Sequence, residues 1–128
     1  MINTQPEADE SQLPADVLVV EDSLIIALDI EETIEQLGVD SVRIESTVAG
    51  ALKAIEQRQP DFAIVDYNLG EENCQLVARD LVQRGVRFVV ATGYANAIKE
   101  IDELGASGVL TKPYGAREIE RALTQKTA

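Results

Sequence analysis

Glu21, Asp22, Asp66, Thr92 and Lys112 are residues suited to handling a phosphoryl group, and each stands at or just past the end of an apolar run. Residues 15–20 lead into Glu21-Asp22, residues 62–65 into Asp66, residues 88–91 into Thr92, and residues 108–110 into Thr111-Lys112. A carboxylate can attack phosphorus to form an aspartyl phosphate, while a lysine ammonium neutralises charge on the transferred oxygens. Asp66 is the candidate nucleophile. Three carboxylates in one crevice repel one another, by roughly 4 kcal/mol for two charges about 4 Å apart at an effective dielectric near 20. A cation is needed to relieve that. Mg²⁺ suits such an all-oxygen set, since it is held by one or two carboxylates and bridges to phosphate oxygens. The Thr92 hydroxyl can donate to a phosphoryl oxygen, and the sequence contains no evident water-activating base.

These residues are far apart in sequence, so only an element pattern that gathers strand ends can make them one site. Strands are expected at residues 16–21, 42–45, 62–65, 86–91 and 107–111. Helices are expected at 23–37, 48–58, 76–84, 95–104 and Ala116–Thr124, with Ser23 as a cap and Gly38, Gly85 and Gly105 as stops. Leu24, Ala27, Leu28, Ile34 and Leu37 read as the buried stripe of the first helix. Residues 62–65 are wholly apolar, as in a parallel strand covered on both faces. Five strand-then-helix units with short connections predict an α/β fold, a doubly wound, flavodoxin-like five-stranded parallel sheet of order 2-1-3-4-5 with five helices. That order has a switch point between strands 1 and 3. Asp22 and Asp66 then face each other.

A chain of 128 residues fits one domain. The polar residues 1–14 have little to bury and are expected to be a mobile tail, leaving a domain over 15–128. The net charge of -12, with no basic stripe, argues against nucleic acid or an anionic membrane as partner. With one cysteine, Cys74, and no histidine, an internal disulfide, a Cys/His zinc set and a histidine dyad are excluded. No signal-peptide pattern and no bilayer-length apolar run occur, so a cytoplasmic location is expected.

The ordered set Val17-Leu18-Val19-Val20-Glu21-Asp22, Asp66, Ala91-Thr92-Gly93 and Lys112-Pro113-Tyr114 resembles the receiver domain of two-component response regulators, over residues 16–124. The resemblance implies that Asp66 accepts phosphate from a histidine kinase or phosphotransfer protein. It implies that Asp22, Asp66 and the Asn68 carbonyl hold Mg²⁺ directly, with Glu21 acting through water, and that Lys112-Pro113 is a cis peptide. It further implies a non-enzymatic signalling protein, monomeric or weakly dimerising on phosphorylation, that contacts a downstream regulator. The segment 84–94 with 66–71 also resembles the FAT GUY-type stand-alone receivers of alphaproteobacterial stress signalling, with Val90 in place of the signature Phe. Two further departures are Val109, where many receivers have an aromatic residue, and Gly70, where many have Pro. The first implies altered switching, with Tyr94 or Tyr114 as substitutes; the second implies a looser loop.

Each assignment has a plainer competitor. Glu21 and Asp22 also suit the first turn of a helix, where acidic side chains meet the positive dipole end. Asp66 and Thr92 also suit inert strand ends, Lys112 a solvated position, and Cys74 simple packing. Two other functions remain open. One is a pseudo-receiver that binds without being phosphorylated. The other is a phosphatase of the haloacid dehalogenase type, which normally carries a second Asp where this chain has Asn68.

Overall fold

The computed structural model of the protein describes residues 13–93 and 98–124. The expected tail lies outside them except for Leu13 and Pro14, and Leu13 packs against a hydrophobic cluster. Tyr94 and the expected start of the fourth helix also lie outside. The elements are β1 (Asp16–Val20), α1 (Leu24–Leu37), β2 (Ser41–Glu45), α2 (Val48–Gln57), β3 (Phe62–Asp66), β4 (Asn68–Leu69), β5 (Glu72–Asn73), α3 (Gln75–Gln83), β6 (Arg87–Thr92), α4 (Ile98–Glu103), β7 (Gly108–Thr111) and α5 (Ala116–Thr124). Among the described residues no helix is long and apolar enough to cross a membrane.

The strands of the main sheet run parallel in the order β2-β1-β3-β6-β7. This is the flavodoxin-like order expected, once the short β4–β5 hairpin is set aside. Sequence reasoning took that hairpin for loop, because two-residue strands carry no periodic signal. Here Asn68 pairs with Asn73 and Leu69 with Glu72 around Gly70, whose φ of 71° is the left-handed turn conformation that glycine adopts without a Cβ clash.

Side chains alternate across the central strands and divide the core in two. Leu18, Val20, Ala63, Val65, Phe88 and Val90 point to one face, where α2, α3 and α4 cover them. Val17, Val19, Phe62, Ile64, Val89 and Ala91 point to the other, against α1 and α5. Every residue of β1 and β3 is buried, which explains the unbroken apolar runs over residues 17–20 and 62–65.

The α1 stripe matches the expectation at Ala27 and Ile34 and departs from it at Leu24 and Leu28. The buried residues are Ala27, Ile30 and Ile34, whereas Leu24 is 64% and Leu28 49% exposed. Helical spacing fits either neighbouring stripe, and contact with β1 and α5 selects the one centred on Ile30. Ser23 Oγ accepts the Ile26 amide at 3.4 Å, and Gly38 closes the helix at a φ of 111°.

Candidate functional site

The ends of β1, β3, β6 and β7 converge at one edge of the sheet. The Glu21 amide donates to the Glu45 carbonyl at 3.0 Å, so the chain keeps its pairing one residue beyond β1. The Glu21 side chain turns inward, where its Oε2 accepts the Ser23 amide at 3.1 Å. Asp22 follows on the exposed rim. Asp66 is the last residue of β3, paired with Ala91, and is only 6% exposed. Carboxylate oxygens of Glu21, Asp22 and Asp66 lie within 4.8 Å of one another.

Lys112 reaches across from the end of β7. Its Nζ stands 2.9 Å from Asp66 Oδ1 and 3.9 Å from Glu21 Oε1. Its amide donates to the Thr92 carbonyl at 2.8 Å, which ties the lysine to the end of β6. The Lys112-Pro113 peptide is cis. Thr92 is buried beside this pair at the end of β6, in register with Thr111. Asn68 lies two residues past Asp66, at the start of the hairpin, with its side chain exposed. A Cβ on Gly70 would sit 3.9 Å from Asp22 Oδ2, so the hairpin turn overhangs the acidic rim. The loop after β3 is a paired turn.

Burial dominates the electrostatics. It pushes the Glu21 carboxyl up to about 7, with the Asp66 charge adding to the rise and the Ser23 amide and Lys112 opposing it. Burial also raises the Asp66 carboxyl, against the hydrogen bond and charge of Lys112. For Lys112 burial acts downward, but Asp66 and Glu21 outweigh it and hold the ammonium above its ordinary range. The site therefore has excess negative charge that a small hard cation would relieve, and its donors are all oxygen. Both features fit Mg²⁺.

Several features escaped sequence reasoning. Tyr114 Oη is buried without a hydrogen-bond partner among the described residues, and burial together with the Glu21 and Asp66 charges raises its phenol. Leu24, Ile25, Ile26 and Leu28 are exposed on α1. A groove of about 850 Å³ runs beside them, bounded by Asp29, Lys112 and Tyr114. The signal was the triplet Leu24-Ile25-Ile26, because three successive helical residues cannot all face one core. Cys74 sits buried just before α3, and burial raises its thiol to about 11, consistent with packing.

Residues 17–124 match the family described as the response regulator receiver domain. The transcriptional regulatory protein TorR of Escherichia coli O157:H7 is 32% identical over 111 residues, covering 84% of this chain and 47% of TorR. The photosynthetic apparatus regulatory protein RegA of Rhodobacter capsulatus is 30% identical over 115 residues, covering 86% of this chain and 61% of RegA. The chain thus spans about half the length of these curated relatives. A Burkholderia pseudomallei response regulator, solved with a phosphorylated aspartic acid, a calcium ion and citrate, superposes with a TM-score of 0.78 at 27% identity, covering 86% of this chain and 66% of that one. A CheY-like receiver domain from Methylobacillus flagellatus gives 0.76 at 27% identity, covering 84% of this chain and 94% of that one. With its sheet order, its acidic strand ends and this match, the chain belongs to the response regulator receiver domain family.

Proposed function

We propose that the chain is a phosphoacceptor in a two-component phosphorelay, taking a phosphoryl group onto Asp66 and passing the signal by phosphorylation-dependent protein contact. The observation that carries this reading is the meeting of Glu21, Asp22 and Asp66 oxygens within 4.8 Å, with the Lys112 ammonium 2.9 Å from Asp66. Asp66 Oδ attacks phosphorus, a P–O bond forms, and the P–N bond of a donor phosphohistidine breaks. The departing imidazole keeps the electron pair and is protonated. Lys112 holds the attacking carboxylate in place and faces the oxygens as they become more negative. The Thr92 hydroxyl donates to one of those oxygens after transfer. Asp22, Asp66 and the Asn68 carbonyl would hold Mg²⁺, with Glu21 acting through water; when bound, the ion supplies charge neutralisation on the phosphoryl oxygens.

The donor is a histidine kinase or phosphotransfer protein, consistent with the apolar α1 face beside Lys112 and Tyr114. An amphipathic helix laid along that face would lie beside Lys112, which contacts Asp66. The chain takes up one phosphoryl group and is not itself a turnover enzyme. A cytoplasmic location follows from that donor.

Incubation with acetyl phosphate and Mg²⁺, followed by intact mass spectrometry, tests the reading. One acid-labile phosphoryl group per chain is expected, absent in Asp66→Asn. Repeated hydrolysis of a generic phosphoester would instead favour a phosphatase, and no uptake under any condition would favour a pseudo-receiver.

A further inference from the structure

Tyr67 lies between Asp66 and Asn68, the two positions that the proposed function places at the metal and phosphoryl group. Its backbone is fixed on both sides. The Tyr67 amide donates to the Ala91 carbonyl at 2.9 Å, one residue before Thr92, and its carbonyl accepts the Cys74 amide at 3.1 Å, at the start of α3. A small displacement of Asp66 or of the end of β6 therefore reaches the Tyr67 Cα directly. The side chain points away from the acidic crevice and packs, half-buried, against the core cluster shared by α2, α3 and α4, together with Leu104 and Val109.

Beside it is space. A cavity of about 270 Å³ is lined by Tyr67, Gln75 of α3, and Glu100, Glu103 and Leu104 at α4 and its end. At roughly 30 Å³ per water, it is large enough to accept a reoriented phenol ring. Helix α4 is described from Ile98 to Glu103, and among the described residues Ile101 packs it into the same cluster. Coupling between sites needs an element with two arrangements, and the cavity leaves the Tyr67 ring room for a second one. Val109 packs against the same cluster and carries no polar group.

We propose that Tyr67 is a positioning residue through which the phosphoryl state of Asp66 reaches α4, with the ring moving relative to the α3–α4 cavity as β6 and the Asp66 loop shift. This rests on the phosphoacceptor reading and extends it to the route by which the signal leaves the site. The Tyr67 ring then has two positions, one packed on the core cluster and one deeper in the cavity, and the phosphoryl group biases the choice between them.

Amide hydrogen exchange of α4 in the full chain, with and without beryllofluoride and Mg²⁺, tests the route. Wild type should change its α4 exchange by about fivefold or more, the lower end for coupling between two sites. Tyr67→Ala should bind beryllofluoride with the same stoichiometry and lose that response. Tyr67→Leu keeps the apolar bulk, guards against a folding defect, and should also lose it. An undiminished α4 response in either variant, or no α4 response in wild type that has bound beryllofluoride, overturns the proposal. Failure of wild type to bind beryllofluoride at all overturns the phosphoacceptor reading and, with it, this one.

Discussion

Lys112 and Asp66 form the closest charged contact of the site, and the two side chains have different jobs. Asp66 supplies the nucleophilic oxygen, so Asp66→Asn removes phosphorylation altogether. Lys112→Ala should leave Asp66 phosphorylatable by acetyl phosphate but slow the transfer, by about 10²-fold if it acts as other preorganised charges do; stopped-flow rates check this. Tyr114 makes a different prediction. A buried hydroxyl without a partner among the described residues costs about 1–3 kcal/mol, so Tyr114→Phe should stabilise the protein by about 1 kcal/mol in urea unfolding. Gly70 has a φ of 71°, so Gly70→Ala should cost about 1 kcal/mol through backbone strain alone, since the added Cβ would meet Asp22 Oδ2 in ordinary contact at 3.9 Å. The acidic residues, Thr92 and Lys112 could be read from sequence because each ends an apolar strand. The partnerless phenol could not, because nothing local to Lys112-Pro113-Tyr114 tells whether a phenol is paired.

Helix α1 shows how far patterning reaches. Its caps, Ser23 and Gly38, were legible because capping chemistry is local. Its buried face was legible only in part, at Ala27 and Ile34, because Leu24 and Leu28 fit a helical stripe as well as Ile30 does, and packing against the rest of the fold decides. The difference matters, because Leu24 and Leu28, two of the five residues assigned to the core, belong to the exposed patch, while Ala27 and Ile34 are buried as expected. Ile25, 83% exposed, should tolerate Asp with little loss of stability. Ile25→Asp should therefore slow transfer from a protein phosphodonor severalfold while leaving acetyl phosphate uptake unchanged. At the opposite sheet edge, Arg43 binds Asp16 at 2.6 Å and donates to the Ala54 and Arg58 carbonyls at 2.9 and 2.8 Å, closing the end of α2. Burial acts to raise the Asp16 carboxyl, but hydrogen bonds from Arg43 and Ser41 and the charges of Arg43 and Arg58 hold it below its ordinary range. Breaking a fully buried pair costs about 3–5 kcal/mol, so this partly solvated one should cost about 2 kcal/mol in Arg43→Ala. The stabilisation should be present above the ordinary value of 3.8 and be lost as pH falls through the lower folded value.

The whole molecule concentrates like charge at one edge of a chain whose net charge is already -12. With Glu21 raised from 4.5 to about 7, the folded metal-free protein binds more protons than the unfolded chain in that window. Its stability should therefore fall as pH rises from about 4.5 to 7 and level off above, with Glu21→Gln flattening the decline in denaturant midpoints. Mg²⁺ should restore stability at the upper end by mass action, since it binds the ionised cluster of the folded state alone. The sheet order was legible because alternating strand and helix patterns admit few topologies. The β4–β5 hairpin was not, since its strands are shorter than any period.

The central claim is that Glu21, Asp22 and Asp66 act together as one magnesium-dependent phosphoryl site. Calorimetric titration of beryllofluoride into the Mg²⁺-loaded protein tests it most directly. One equivalent should bind, with no binding when Mg²⁺ is omitted or in Asp66→Asn, and weakened binding in Asp22→Asn. Binding that persists without Mg²⁺, or that Asp66→Asn leaves unchanged, would contradict the account.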